Sequence, residues 1–115
     1  MQRTAKSSTP LHLASDQGHT ATAALLIEEG ADVNAVDINS HTPLHLASGE
    51  GQTATAAFLL EKAADVDAVD FMSFTPVHLA SMSGHTATAT LLIEKGADVN
   101  AAGYASWTPL HLACL

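Results

Sequence analysis

An all-α repeat solenoid is the fold class this sequence predicts, on three observations. The tetrapeptide Thr-Pro-Leu-His begins at Thr9 and Thr42, returns as Thr-Pro-Val-His at Thr75 and starts again at Thr108, 33 residues apart each time. Laying residues 9–41 over 42–74 gives 22 identities in 33 positions, which marks one supersecondary unit copied in register. Within each full copy a Thr-Pro opening and two apolar stretches, closed by glycine except at Ala63, outline two helices and a turn. Such a unit buries its apolar face only against its neighbours, so the copies must stack. In 115 residues this period gives a single domain, 1–115, with repeats near 4–36, 37–69 and 70–102 and a partial fourth over 103–115.

Each element has a local reason. Thr9 caps the first helix, and Pro10 at its first position lacks only an N–H that would be unpaired there. Leu11, Leu13 and Ala14 supply its inward face, and Gly18 ends it. A second helix over about 20–29 buries Leu25, Leu26 and Ile27, and Gly30 provides a left-handed C-cap. Ala31-Asp32-Val33-Asn34-Ala35 leads into a turn near 37–40, and the next Thr-Pro follows at once.

Composition narrows the function. The net charge is −8, with Arg3, Lys6, Lys62 and Lys95 as the only cations, so the surface repels nucleic acid and anionic membrane and favours a basic or neutral partner. Cys114 is alone, so no internal disulfide is expected. Neither a signal-like N-terminus nor an apolar run approaching a membrane span is present, and the expectation is a soluble protein, intracellular or recombinant cytoplasmic.

The unit resembles the ankyrin repeat. Thr-Pro-Leu-His-Leu-Ala, Gly18-His19, Leu25-Leu26 and Gly30-Ala31-Asp32-Val33-Asn34 carry the resemblance, which recurs in register over almost the whole chain. It implies two antiparallel helices per repeat and a projecting β-turn finger, with fingers and first helices lining one concave groove. It also implies a binding scaffold without a common chemistry. The chain departs from the family in three places. Ser7, Ser40, Ser73 and Ser106 stand where ankyrin fingers usually carry Gly; a positive φ there costs serine energy, so a different finger geometry is expected. Ala63 replaces Gly30 and Gly96 at the helix C-cap and would be strained. The second helix, Thr20-Ala21-Thr22-Ala23-Ala24, has small residues where bulkier aliphatics are usual, and should lie close to its neighbours while burying less apolar area. Both ends are blunt, with Leu110, Leu112 and Leu115 uncovered, so fraying or self-association is expected.

Divergence between copies is concentrated. In the finger, Ile38, Asn39 and His41 align with Phe71, Met72 and Phe74, then with Tyr104, Ala105 and Trp107; the first repeat has Ala5, Lys6 and Ser8. A second variable pair closes the first helix: Asp16-Gln17, Gly49-Glu50 and Met82-Ser83, with Leu115 reaching that column. These columns fall on the implied groove and look like those diversified in engineered ankyrin binders. Four of the five aromatics lie in finger columns; the fifth, Phe58, sits in a leucine column and reads as core. Aromatic and methionine side chains are what interface cores favour.

The expectation is therefore a non-enzymatic module that binds another protein, mainly through apolar contacts. Phe71, Met72, Phe74, Tyr104 and Trp107 are its anchors, with Ile38, Met82, Leu115 and Ala105 beside them and Asn39, His41, Glu50 and Ser83 as a polar rim. These residues are expected to lie outside the inter-repeat core; the competing reading packs the rings between fingers as stiffeners. Near-identical frameworks suggest an engineered, consensus-type chain. The alternatives are a fragment of a natural ankyrin adaptor or a self-associating structural repeat. Catalytic residues, metal ligands and cofactors are not expected. His12, His45, His78 and His111 repeat with the framework and read as hydrogen bonds tying finger to helix, with the Thr side chain as a candidate partner. His19 and His85 share a framework position taken by Gln52 in the second repeat, and Asp32, Asp65 and Asp98 are likewise framework.

Overall fold

The computed structural model describes residues 8–103. Six helices follow one another in pairs: α1 (Pro10–Asp16) and α2 (Thr20–Glu28), α3 (Pro43–Gly49) and α4 (Thr53–Glu61), α5 (Pro76–Met82) and α6 (Thr86–Glu94). Each pair packs on itself. The first helices stack α1 on α3 on α5 and the second helices α2 on α4 on α6, giving two layers of a repeat solenoid. No strand occurs among the described residues.

The first helices begin as the sequence implies, with Thr9, Thr42 and Thr75 at N-cap in extended conformation and Pro next. The glutamate or glutamine of an ordinary capping box is replaced by histidine. Nδ1 of His12 accepts the Thr9 N–H at 3.1 Å, while the Thr9 hydroxyl accepts the His12 N–H at 3.3 Å.

The core runs along the inner faces: Leu11, Leu44 and Val77 from the first helices, Ala23, Ala56, Leu59 and Leu92 from the second. Two expectations need correction. Leu13 is 57 % exposed and Leu25 is 56 % exposed, against the inward positions that the sequence pattern predicts for both. Their counterparts Leu46, Leu79, Phe58 and Leu91 are half-buried. The Leu13 column faces the preceding repeat, as Leu79 does, whose Cβ lies 3.7 Å from where a Cβ on Gly49 would sit. Among the described residues Leu13 and Leu25 have no such neighbour. Phe58 packs on the core but keeps one side open, with the Lys62 ammonium 5.7 Å from its ring centre.

Small residues bring the second helices together. Ala23 and Ala56 are fully buried, and hydroxyls bond across the gap: Thr20 to Thr55 and Thr53 to Thr88, both at 2.6 Å. The second-helix threonines are thus inter-repeat fasteners. Ser15 and Ser48 are buried with no partner for their hydroxyls, and nothing in the structure explains them.

Candidate functional site

The fingers at 37–41 and 70–74 are built by an aspartate. Asp37 Oδ1 accepts the N–H groups of Asn39 and His41, both at 2.9 Å. The Asp37 N–H bonds the His41 carbonyl, and the Ser40 N–H bonds the Asp37 carbonyl. Asp70 repeats the arrangement, its Oδ1 accepting from Met72 at 2.8 Å and Phe74 at 3.0 Å. Each finger is a three-residue hairpin loop closed by a left-handed residue: Ser40 at φ +61° and Ser73 at φ +63°. Serine has therefore not changed the turn. It occupies the glycine conformation, held there by the aspartate side chain.

Histidine then joins finger to stack. His12 Nε2 donates to the His41 carbonyl at 2.8 Å, and His45 Nε2 donates to the Phe74 carbonyl at 2.9 Å. Their Nδ1 atoms accept from Thr9 and Thr42. Since a carbonyl only accepts and a backbone N–H only donates, these partners fix the neutral Nε2–H tautomer. Burial pushes the His45 imidazole below its ordinary 6.5, and His41 beside it pushes the same way against the Phe74 carbonyl bond. His78 makes the same bond from the Thr75 N–H at 2.9 Å. The expected structural role, threonine included, is what the geometry gives. His85 and Gln52 are structural too: Gln52 Nε2 donates to the Asp16 carbonyl at 3.1 Å, and His85 lies over Gly51 so closely that a Cβ there would come within 2.7 Å of its Nδ1. His19 is exposed. Asp32, Asp65 and Asp98 each accept the N–H two residues on.

The divergent finger residues separate into two kinds. Ile38 is 66 % exposed and Phe71 is 65 % exposed, and Asn39 is exposed between them in sequence. The Phe71 N–H donates to the Asn39 carbonyl at 3.1 Å, which clips one finger to the next and brings these three residues together. Met72 is half-buried in the same finger.

His41 and Phe74, by contrast, are partly taken up between fingers. His41 Nε2 donates to Asp70 Oδ2 at 3.0 Å, and its ring lies edge-on to Phe71 with centroids 6.4 Å apart. Phe74 stacks at 5.2 Å on His78, and its ring fills the space a Cβ on Gly103 would need. The expectation that the finger aromatics lie wholly outside the inter-repeat contacts is corrected for Phe74. The same structural column meets Asp37, Asp70 and Gly103 in turn. His41 faces an aspartate it can bond, whereas Phe74 faces a glycine that leaves room for its ring. Sequence reasoning missed this pairing, although Gly103 breaking the Asp37/Asp70 column was a visible signal.

Glu50 and Ser83 are exposed C-cap residues of α3 and α5, and Met82, the last residue of α5, is 43 % exposed. A seven-residue helix puts them about 10 Å of axial rise from the fingers, so they flank the finger patch rather than join it. Tyr104, Ala105, Trp107 and Leu115, with His111, Cys114, Ala5 and Lys6, lie outside the described residues. No group of three or more His, Cys, Asp or Glu side chains suited to a metal ion occurs among the described residues. No helix there is long and apolar enough to cross a membrane.

Helix pairs, aspartate-closed fingers and the threonine–histidine cap recur at one period. Family models agree with them: a model of ankyrin repeats in three copies matches residues 1–70, and a model of ankyrin repeats in many copies matches residues 77–115. No curated protein matches the chain. Ankyrin repeats are in general protein-binding modules, typically without enzymatic activity. The chain belongs to the ankyrin repeat family.

Proposed function

We propose that this chain is a non-enzymatic protein-binding module that recognises a partner protein through its finger face. One observation carries the reading: Ile38 and Phe71, each about two-thirds exposed, stand on adjacent fingers clipped by a backbone hydrogen bond. A ring and a branched aliphatic held in water by a rigid scaffold are what an interface core needs. By sequence, Tyr104 continues the column of Ile38 and Phe71, and Trp107 that of His41 and Phe74. Met72 and Phe74 support the patch from beneath, and Asn39, His41, Glu50 and Ser83 are its polar surround. Met82 flanks it at the end of α5, and by sequence Ala105 and Leu115 fall in the same divergent columns.

Affinity capture with the tagged chain, followed by titration of the captured protein, tests this. Phe71→Ala and Trp107→Ala should each weaken binding by roughly thirty-fold, about 2 kcal/mol, while Glu28→Ala on α2 leaves it unchanged. Phe71→Ala should keep the melting temperature. Phe74→Ala is the poorer probe, since that ring also packs on His78. A partner kept by both aromatic variants and lost on changing the second-helix face sinks the reading.

The near identity of the repeats outside these columns supports a consensus-derived, engineered origin, in which the framework is built to carry interchangeable fingers. Replacing Ile38, Asn39, Phe71 and Met72 together by Ser or Ala would then leave the melting temperature within a few degrees. A collapse of the fold would instead favour a natural adaptor whose fingers and frame are co-adapted.

A further inference from the structure

We infer that the finger face takes a Lys/Arg-rich amphipathic protein segment, whose apolar residues seat on Ile38 and Phe71 and whose cations lie toward Asp16 and Glu50. This rests on the reading of that face as a docking surface and names the chemistry of what docks there. The argument is one of charge placement. All twelve Asp and Glu residues fall within the described residues, against two of the four cations. Both of these, Lys62 and Lys95, cap the C-termini of second helices α4 and α6, away from the fingers, and Lys62 lies over the Phe58 ring. Lys6, which the register aligns with Asn39, lies outside the described residues.

The second-helix layer mixes those lysines with Glu28, Glu29, Glu61 and Glu94, whereas the first-helix layer carries acids alone. Asp16 ends α1 and Glu50 caps α3, with Ser83 at the matching place on α5. No described cation stands on α1, α3, α5 or either described finger. Glu50 is exposed and has no ion pair among the described residues. Axial rise along α3 puts the Glu50 carboxylate about 10 Å from the finger patch, comparable with the Debye length of about 8 Å at physiological salt, and Asp16 stands on the neighbouring helix α1. A cation a few residues from an apolar anchor would therefore feel them. An acidic partner would meet uncompensated like charge, so the face selects against it as well as for a basic one.

A phage-displayed library of random linear peptides, selected on the immobilised chain and on Phe71→Ala, tests the inference. Peptides enriched on the parent chain should pair aromatic or aliphatic residues with Lys or Arg and carry net positive charge. Their resynthesised forms should lose about five-fold in affinity or more for the Asp16→Lys/Glu50→Lys double variant, and weaken again between about 50 and 500 mM NaCl. Circular dichroism of that variant checks that the fold is kept. Enriched peptides that are neutral or acidic, and indifferent to charge reversal and to salt, overturn the inference while leaving the docking face standing. Peptides that bind Phe71→Ala as well as the parent overturn the docking face itself. No enrichment at all overturns the inference of a linear segment.

Discussion

Ala63 shows how one residue can strain an otherwise regular stack. Its φ is +72°, where the sister positions are Gly30 at +104° and Gly96 at +99°. A side chain in the left-handed region costs about 1–2 kcal/mol, partly offset by the smaller entropy that alanine loses on folding. Ala63→Gly should therefore stabilise by roughly 0.5–1 kcal/mol, seen as a higher denaturation midpoint with an unchanged slope. A lower midpoint would mean that the cap relaxes at no cost. His45 makes the second prediction at this scale. Burial holds its imidazole below 6.5, so the unfolded chain binds the extra proton more readily. Its contribution is complete above about 6.5 and is lost as pH falls through the lowered value. Melting temperature should drop between about pH 7 and pH 5. A His45→Gln chain, less stable throughout, should lose less over that interval, and an equal loss in both chains would refute the assignment.

At the scale of elements, consecutive fingers are joined by three different means. A backbone bond links Phe71 to Asn39, a histidine–carboxylate bond links His41 to Asp70, and ring packing sets Phe74 against Gly103. The last two are alternatives at one place in the repeat, and they cannot be mixed freely. Gly103→Ala should cost about 1–2 kcal/mol because its Cβ would enter the space of the Phe74 ring. Paired with Phe74→Ala, the same change should cost much less. A double-mutant cycle with no coupling between the two would contradict the packing. The post-helix loops obey a similar ladder: Asn34 accepts the Asp65 N–H at 2.9 Å and donates to the Ala63 carbonyl at 3.3 Å. Asp67 accepts from Asp98 at 3.1 Å, but its carboxylate has no N–H to return.

For the whole molecule the balance of charge matters most. Twelve acids against four cations in 115 residues make self-repulsion a steady cost to the compact state. Salt screens it, so melting temperature should rise by a few degrees between about 20 and 500 mM NaCl. A flat or falling profile would show that local pairs, not net charge, dominate. This trend runs opposite to the salt weakening expected for a basic ligand, so stability and binding can be told apart in one titration series. Repeated polar fasteners run along the stack beside the apolar core. His12 and His45 reach the next finger, and Thr20 and Thr53 reach the next second helix.

What the sequence alone determined was everything that repeats. The 33-residue register, the Thr-Pro helix starts, the glycine caps and the structural histidines were all legible, because each rests on local chemistry that recurs at fixed spacing. The strain at Ala63 was legible for the same reason, as a break in a column. Tertiary structure alone decided what faces what. Leu13 and Leu25 look like their half-buried counterparts in the chain, yet they are exposed because burial here depends on a neighbouring repeat. Phe71 and Phe74 are alike in kind and three residues apart, but one stands in water and the other is drawn between fingers. The serines at 40 and 73 left finger geometry open until the aspartate Oδ1 bonds closed the same turn that glycine would make. Local signals travel within a repeat. Contacts between repeats join residues some 30 positions apart, and only the stacked fold brings those together.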